Sequence, residues 1–80
     1  MPTALVLITA AQSGIGDAID GLSDMSDVTE VYSVAGEYDL VATVQVEEYE
    51  RFAEVIPERL QTIDGVETTQ TLMAFKTYQF

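Results

Sequence analysis

The chain repeats part of itself, and that repeat limits its possible folds more than any other feature. Leu22, Met25 and Val28 return as Leu60, Ile63 and Val66, 38 positions further on, at the two points where helical spacing gives way to a strand-like run. Two βα units of this kind, each followed by a strand, make the split βαβ or ferredoxin-like plan: an α+β, βαββαβ sandwich. Its four strands form one antiparallel sheet, and right-handed crossovers put both helices on the same face. The opposite face of the sheet is left bare.

The separate segments agree with this plan. TALVLITA (Thr3–Ala10) is a short, almost continuous apolar run, which predicts a central strand buried on both faces. Gln12-Ser13-Gly14 interrupts it, and Ser13 is the expected N-cap of a helix whose apolar positions are Ile15, Ala18, Ile19 and Leu22. Gly16 and Gly21 weaken that helix, so packing must hold it. A second strand is expected over residues 28–35 and a third over 38–46, with Leu40, Ala42, Val44 and Val46 on one face and Val41, Thr43 and Gln45 on the other. Between them Gly36-Glu37 predicts a tight hairpin with a positive φ at the glycine. Residues 47–63 read as the second helix, with Glu47, Glu48 and Glu50 at its positive end and Phe52, Ile56, Leu60 and Ile63 as its apolar stripe. Pro57 predicts a kink or broken turn near residues 53–56. Asp64-Gly65 closes the helix, and the last strand is expected over residues 66–78.

Eighty residues suit a single domain covering positions 1–80. A chain of this size buries only about 60% of its unfolded surface, so its core is small. With no cysteine and no histidine, neither a disulfide nor a His/Cys zinc site can reinforce it. Its 48% hydrophobic content is therefore best accommodated by self-association, with the bare sheet face as the interface. Three Lys+Arg against 14 Asp+Glu leave a net charge of −11 with no clustered cations, so no direct nucleic-acid partner is expected and an anionic membrane is disfavoured. Such a charge suits a salt-rich cytoplasm and a halophilic source, or an ordinary acidic protein; composition does not separate these. The apolar run at the start is too short to span a bilayer and no basic residue precedes it, so a cytoplasmic location is expected.

Catalysis is disfavoured. The commonest general base is missing, and Ser13, Ser23, Ser26 and Ser33 have no partner that would activate them. The acidic run at 47–50 and Asp17, Asp20, Asp24 and Asp27 read as solvated helix surfaces, and no EF-hand spacing is present. No cofactor or metal is expected. Two segments do stand out. In Ala35-Gly36-Glu37-Tyr38-Asp39-Leu40 the turn accounts for Gly36, but Asp39 is a poor strand former before an apolar run. Its carboxylate would either accept hydrogen bonds from an ammonium ligand or cap a neighbouring loop. Thr68-Thr69-Gln70-Thr71 is a polar patch in an apolar strand, open equally to a solvent-facing reading and to a row of ligand contacts.

VYSVAGEYDLVATV (31–44) followed by IDGVETTQTLMAF (63–75), in register with this element order, resembles the amino-acid-binding RAM module of the Lrp/AsnC family of transcriptional regulators. The resemblance covers essentially the whole chain. The family's N-terminal helix-turn-helix is absent from it, which implies a stand-alone ligand module acting, if on transcription, through full-length Lrp/AsnC regulators in mixed oligomers. It also implies sheet-to-sheet dimers assembled into octameric or decameric rings, with an amino acid effector between dimers. By that analogy the Gly36 and Glu37 backbone and Asp39 hold the charged ends of the amino acid, Tyr38 shapes the pocket, and Thr69 and Thr71 add polar contacts. Ala35 stands where the family often has a hydroxyl, which removes one hydrogen bond. Two other readings remain: a structural assembly partner of such regulators without ligand binding, and a small dimeric α+β barrel enzyme sharing the topology. An ACT-type sensor differs from the first in how its sheets associate.

Overall fold

A computed structural model describes residues Met1–Phe80. Its elements run β1 (Thr3–Ala10), a 3-10 turn (Gln12–Gly14), α1 (Ile15–Ser23), β2 (Val28–Ser33), β3 (Leu40–Gln45), a second helical segment, and β4 (Val66–Ala74). The four strands form one antiparallel sheet in the order β2-β3-β1-β4, the ferredoxin-like arrangement expected from the repeat.

The alternation along β1 decides which side is core. Ala4, Val6 and Ile8 are fully buried beneath the helices, together with Leu40, Ala42 and Val44 of β3. Ala18 and Leu22 of α1 and Phe52, Val55, Ile56 and Leu60 of the second helix close over them. β1 is central, but the expectation that both its faces are buried does not hold. Thr3, Leu5, Leu7 and Thr9 remain half-buried, because no layer covers the second face. Ile19 also departs from its expected place: it is 38% exposed, since residues 15, 18 and 22 already fill the inward arc of a short helix.

Several boundaries move inward. β2 ends at Ser33 and β3 starts at Leu40, so the connection is a loop of residues 34–39 and not a two-residue turn. β4 ends at Ala74 because its partner β1 starts at Thr3, opposite Ala74. Ser13 lies within the 3-10 turn and Gly14 takes the N-cap position of α1, with no side-chain cap bond.

The second helical segment starts at Tyr49, not 47, and ends at Leu60, not 63. It changes type along its length: a 3-10 turn (Tyr49–Arg51), one α turn (α2, Phe52–Glu54) and a π-helical stretch (Val55–Leu60). Pro57 explains the change. It has no N–H to donate to the carbonyl of Ala53, and its ring crowds that carbonyl, so the helix widens where a kink was expected. The Gln61 N–H reaching Ile56 O at 3.0 Å carries the wider spacing to the end.

α1 and the loop before β4 approach each other closely, at glycines on both sides. Gly65 has φ +92, and a Cβ there would overlap the carbonyl oxygen of Gly14. A Cβ on Gly21 would likewise overlap the Ile63 side chain. Gly21 thus weakens α1 intrinsically, yet it is the position that lets α1 lie close to the Ile63 side of the fold.

Candidate functional site

The loop of residues 34–39 turns at Gly36, whose φ of +128 is open to glycine and costly for other residues. The Val34 N–H donates to Asp39 O at 3.0 Å and closes the loop on itself. Asp39 then fastens it to β1 twice. Its N–H donates to Ile8 O at 2.9 Å, and its Oδ2 accepts from the Ala10 N–H at 2.8 Å. That second bond meets a local need, because the β1–β4 register shifts between Thr9 and Ala10. Of the two roles open to Asp39, capping a neighbouring segment is the one its geometry displays. One carboxylate oxygen is engaged in this way, and a carboxylate has two.

Gly36 and Glu37 at the loop's tip are exposed, while Tyr38 and Asp39 are half-buried. The Tyr38 hydroxyl donates to Gln70 Oε1 on β4, so the loop is tied to both β1 and β4. Beside this contact the hydroxyls of Thr9 and Thr68 share a hydrogen bond, and the Thr68 N–H donates to Thr9 Oγ1 at 3.2 Å. Thr9, Thr68, Tyr38 and Gln70 therefore form a polar cluster at one end of the uncovered face.

Thr69 and Thr71 lie elsewhere. They pair with Ile8 and Val6, whose side chains face the helices, so both threonines belong to the covered side of edge strand β4. Thr69 Oγ1 accepts from Gln61 Nε2 at 2.9 Å, at the end of the π-helical stretch. Gln61, Val66, Glu67 and Thr69 line a shallow polar hollow of about 260 Å³ there. Of the six residues singled out in the sequence, the four of the loop and Thr69 lie at one end of the sheet and Thr71 at mid-strand opposite Val6, with both threonines on the opposite side of β4 from the Tyr38–Gln70 contact. Gln70, Thr68, Thr9 and Gln61 were not singled out individually. Strict alternation along β4 was the available signal, since it separates Thr68 and Gln70 from Thr69 and Thr71.

The largest concavity, about 560 Å³, is at a different place. Asp27, Glu47, Glu48, Glu50, Arg51 and Glu54 line it, with no apolar wall of the kind a small-molecule site uses. Arg51 pairs with Glu54 at 3.3 Å and stands 3.9 Å from Asp27 Oδ2, too far for a hydrogen bond. That buried oxygen consequently has an ion-pair neighbour but no hydrogen-bond partner. No three carboxylates converge as a metal-binding group, and no helix is long and apolar enough to cross a membrane.

Known proteins share this arrangement. The family pattern of the Lrp/AsnC ligand binding domain matches residues 3–79. An uncharacterised HTH-type transcriptional regulator of Pyrococcus furiosus is 33% identical over 78 residues, covering 94% of this chain and 52% of the regulator. Among solved structures, TTHA0845 from Thermus thermophilus is 38% identical with a TM-score of 0.90, each chain covering 100% of the other. The feast or famine regulatory protein of M. tuberculosis complexed with L-methionine is 31% identical with a TM-score of 0.80, covering 100% of this chain and 54% of that one. The chain spans about half the length of the curated relatives it matches.

Proposed function

We propose, starting from the Lrp/AsnC ligand-binding domain family to which this chain belongs, that it binds an amino acid effector and self-associates in the service of transcriptional regulation. The observation that carries the reading is the anchored loop of residues 34–39. Asp39 fixes it to β1 and Tyr38 to β4, while the Gly36 and Glu37 backbone stays open to solvent. A preformed loop of this kind meets a small zwitterion without a large ordering cost. Backbone groups at Gly36 and Glu37 would take the effector's carboxylate, and the remaining Asp39 oxygen its ammonium group. Thr69 and Thr71, on the other side of β4, would meet the side chain of an effector lying over the sheet edge by the Gln61 hollow.

Self-association by way of the uncovered sheet face supplies the apolar contact area that a lone chain of this size lacks. The relatives are named as transcriptional regulators, so the reading is regulatory and not enzymatic. With its net charge of −11 the domain would reach DNA through a regulator to which it is joined, by chain or by assembly, and not through its own surface.

Titration calorimetry with the free amino acids tests the effector, beginning with L-methionine because one relative was solved with it. Light scattering on the same samples follows the assembled mass. Saturable binding that Asp39→Asn abolishes, in a protein still folded by circular dichroism, is the expected result. An assembled protein indifferent to every amino acid would favour the structural-partner reading instead. The Asp39–Ala10 bond gives that reading its own support, since it assigns the carboxylate a purely architectural use.

A further inference from the structure

The ladder between β1 and β4 stops at the pair Thr3–Ala74. Pro2 precedes Thr3 and has no N–H to offer, and its carbonyl already accepts from Val46 N at 3.1 Å on the other side. Residues 75–80 therefore continue beyond the sheet without a neighbouring strand, and no backbone hydrogen bond involves them. Yet the segment is FKTYQF, rich in residues that favour strands and contacts. Phe75 is 91% and Tyr78 70% exposed, and Phe80 is entirely open. Lys76 stands 5.5 Å from the ring centre of Tyr78 and makes no salt bridge. The tail is thus an aromatic strip carrying the only basic side chain outside the second helical segment.

The opposite chemistry lies between β3 and that second segment. Glu47, Glu48 and Glu50 are exposed, and the one basic side chain beside them, Arg51, is taken up by Asp27 and Glu54. Tyr49, in the middle of these acids, is 49% exposed and set edge-on to Phe52 at 5.7 Å. It also lines a cleft of about 330 Å³ shared with residues 1–3 and the root of the tail. Phe75, Lys76 and Thr77 of the same chain line this cleft with Tyr49, yet Lys76 makes no salt bridge with the acids beside it.

We propose that residues 75–80 of one copy dock on the acidic ledge around Tyr49 of a second copy. Lys76 enters the field of Glu47 and Glu48, and the rings of Tyr78 and Phe80 pack against Tyr49. Charge complementarity selects the occupant: strongly acidic copies repel one another, and each carries one unpaired, projecting lysine together with the uncompensated acids that would receive it. Because donor and acceptor sit at different places on every chain, the contact is heterologous and joins copies head to tail unless a two-fold closes it. It is separate from packing of the uncovered sheet faces and does not depend on amino-acid binding.

The chain has no cysteine, so introduced thiols are unique. Tyr78→Cys and Glu48→Cys proteins, purified separately and then mixed under mild oxidation, should yield a linked species of twice the chain mass. Peptide mapping should find positions 78 and 48 of the two proteins joined by the new disulfide. Adding Lys76→Glu to the Tyr78→Cys protein should lower that yield at least about tenfold, since it sets like charges together. These changes all lie outside the core, and circular dichroism verifies folding. The proposal is overturned if the mixture gives no peptide joined between positions 78 and 48, or if a doubly substituted chain links only within itself. It is also overturned if Lys76→Glu leaves the yield unchanged.

Discussion

The two faces of the sheet are built from the same strands and both carry large apolar residues, yet they reach different states. On one face Ala4, Val6, Ile8, Leu40, Ala42 and Val44 have no exposed surface at all. One position along each strand, Leu5, Leu7 and Val41 are only half-buried, and Tyr32 and Leu72 are 49% and 44% exposed. Hydrophobicity alone does not distinguish these sets. What distinguishes them is that right-handed crossovers bring both helices to the first set and nothing to the second. The covered face is a finished core, whereas the other lies open, apolar in its middle and polar around Thr9, Thr68, Tyr38 and Gln70.

The sharpest way to break this contrast is to truncate one residue on each side. Leu22→Ala, beneath the covered face, should lower stability by about 2–5 kcal/mol in urea unfolding. Leu72→Ala should cost far less in dilute protein and act chiefly on association, read as a drop in scattering mass. Equal losses at both positions, independent of concentration, would mean that the two faces are equivalent after all. Gly65→Ala comes next. It adds a clash with Gly14 O to an unfavourable φ, and should cost more than about 1 kcal/mol although it removes no contact. Asp39→Ala leaves the Ala10 N–H without its acceptor, and a loss of about 1–3 kcal/mol is expected by the same unfolding measurement.

The smallest effect sharpens the picture of the open face. Tyr32 donates to Glu30 Oε1 at 3.0 Å, and its pKa is raised, first by that hydrogen bond and then by the carboxylate's charge. Both causes favour the neutral phenol, so Tyr32 ionises at higher pH than a free tyrosine. Glu30→Gln removes the charge and should move its ultraviolet titration to lower pH. No change would mean that Glu30 and Tyr32 do not stay in contact in solution.

Much of the fold was legible because its signals are periodic. The 38-residue repeat announced the topology, and the alternation Leu40, Ala42, Val44, Val46 marked the core face of β3 correctly. Boundaries were less legible, because each is decided by a distant partner. β4 stops at Ala74 only because β1 begins at Thr3, a fact local composition does not carry. Pro57 signalled a disturbance but not its form, since a kink and a widened turn relieve the same clash. At the candidate site, Gly36 and the oddity of Asp39 could be seen in the sequence. The Tyr38–Gln70 contact could not, because it joins residues brought together only by the sheet order, and the Gln61–Thr69 contact could not, because it depends on how β4 folds back past the helix end.

The mixed character of the second helical segment bears on how the chain comes to be folded. A stretch that passes from 3-10 to α to π between Tyr49 and Leu60 has little of the repeated i to i−4 bonding that lets a helix nucleate alone. The pairings of β1 with β3 and β4 join residues far apart in the chain, a topology that goes with slow folding. The segment is held by the packing of Phe52, Val55, Ile56 and Leu60 on the sheet and by the geometry Pro57 imposes, more than by helical bonding of its own.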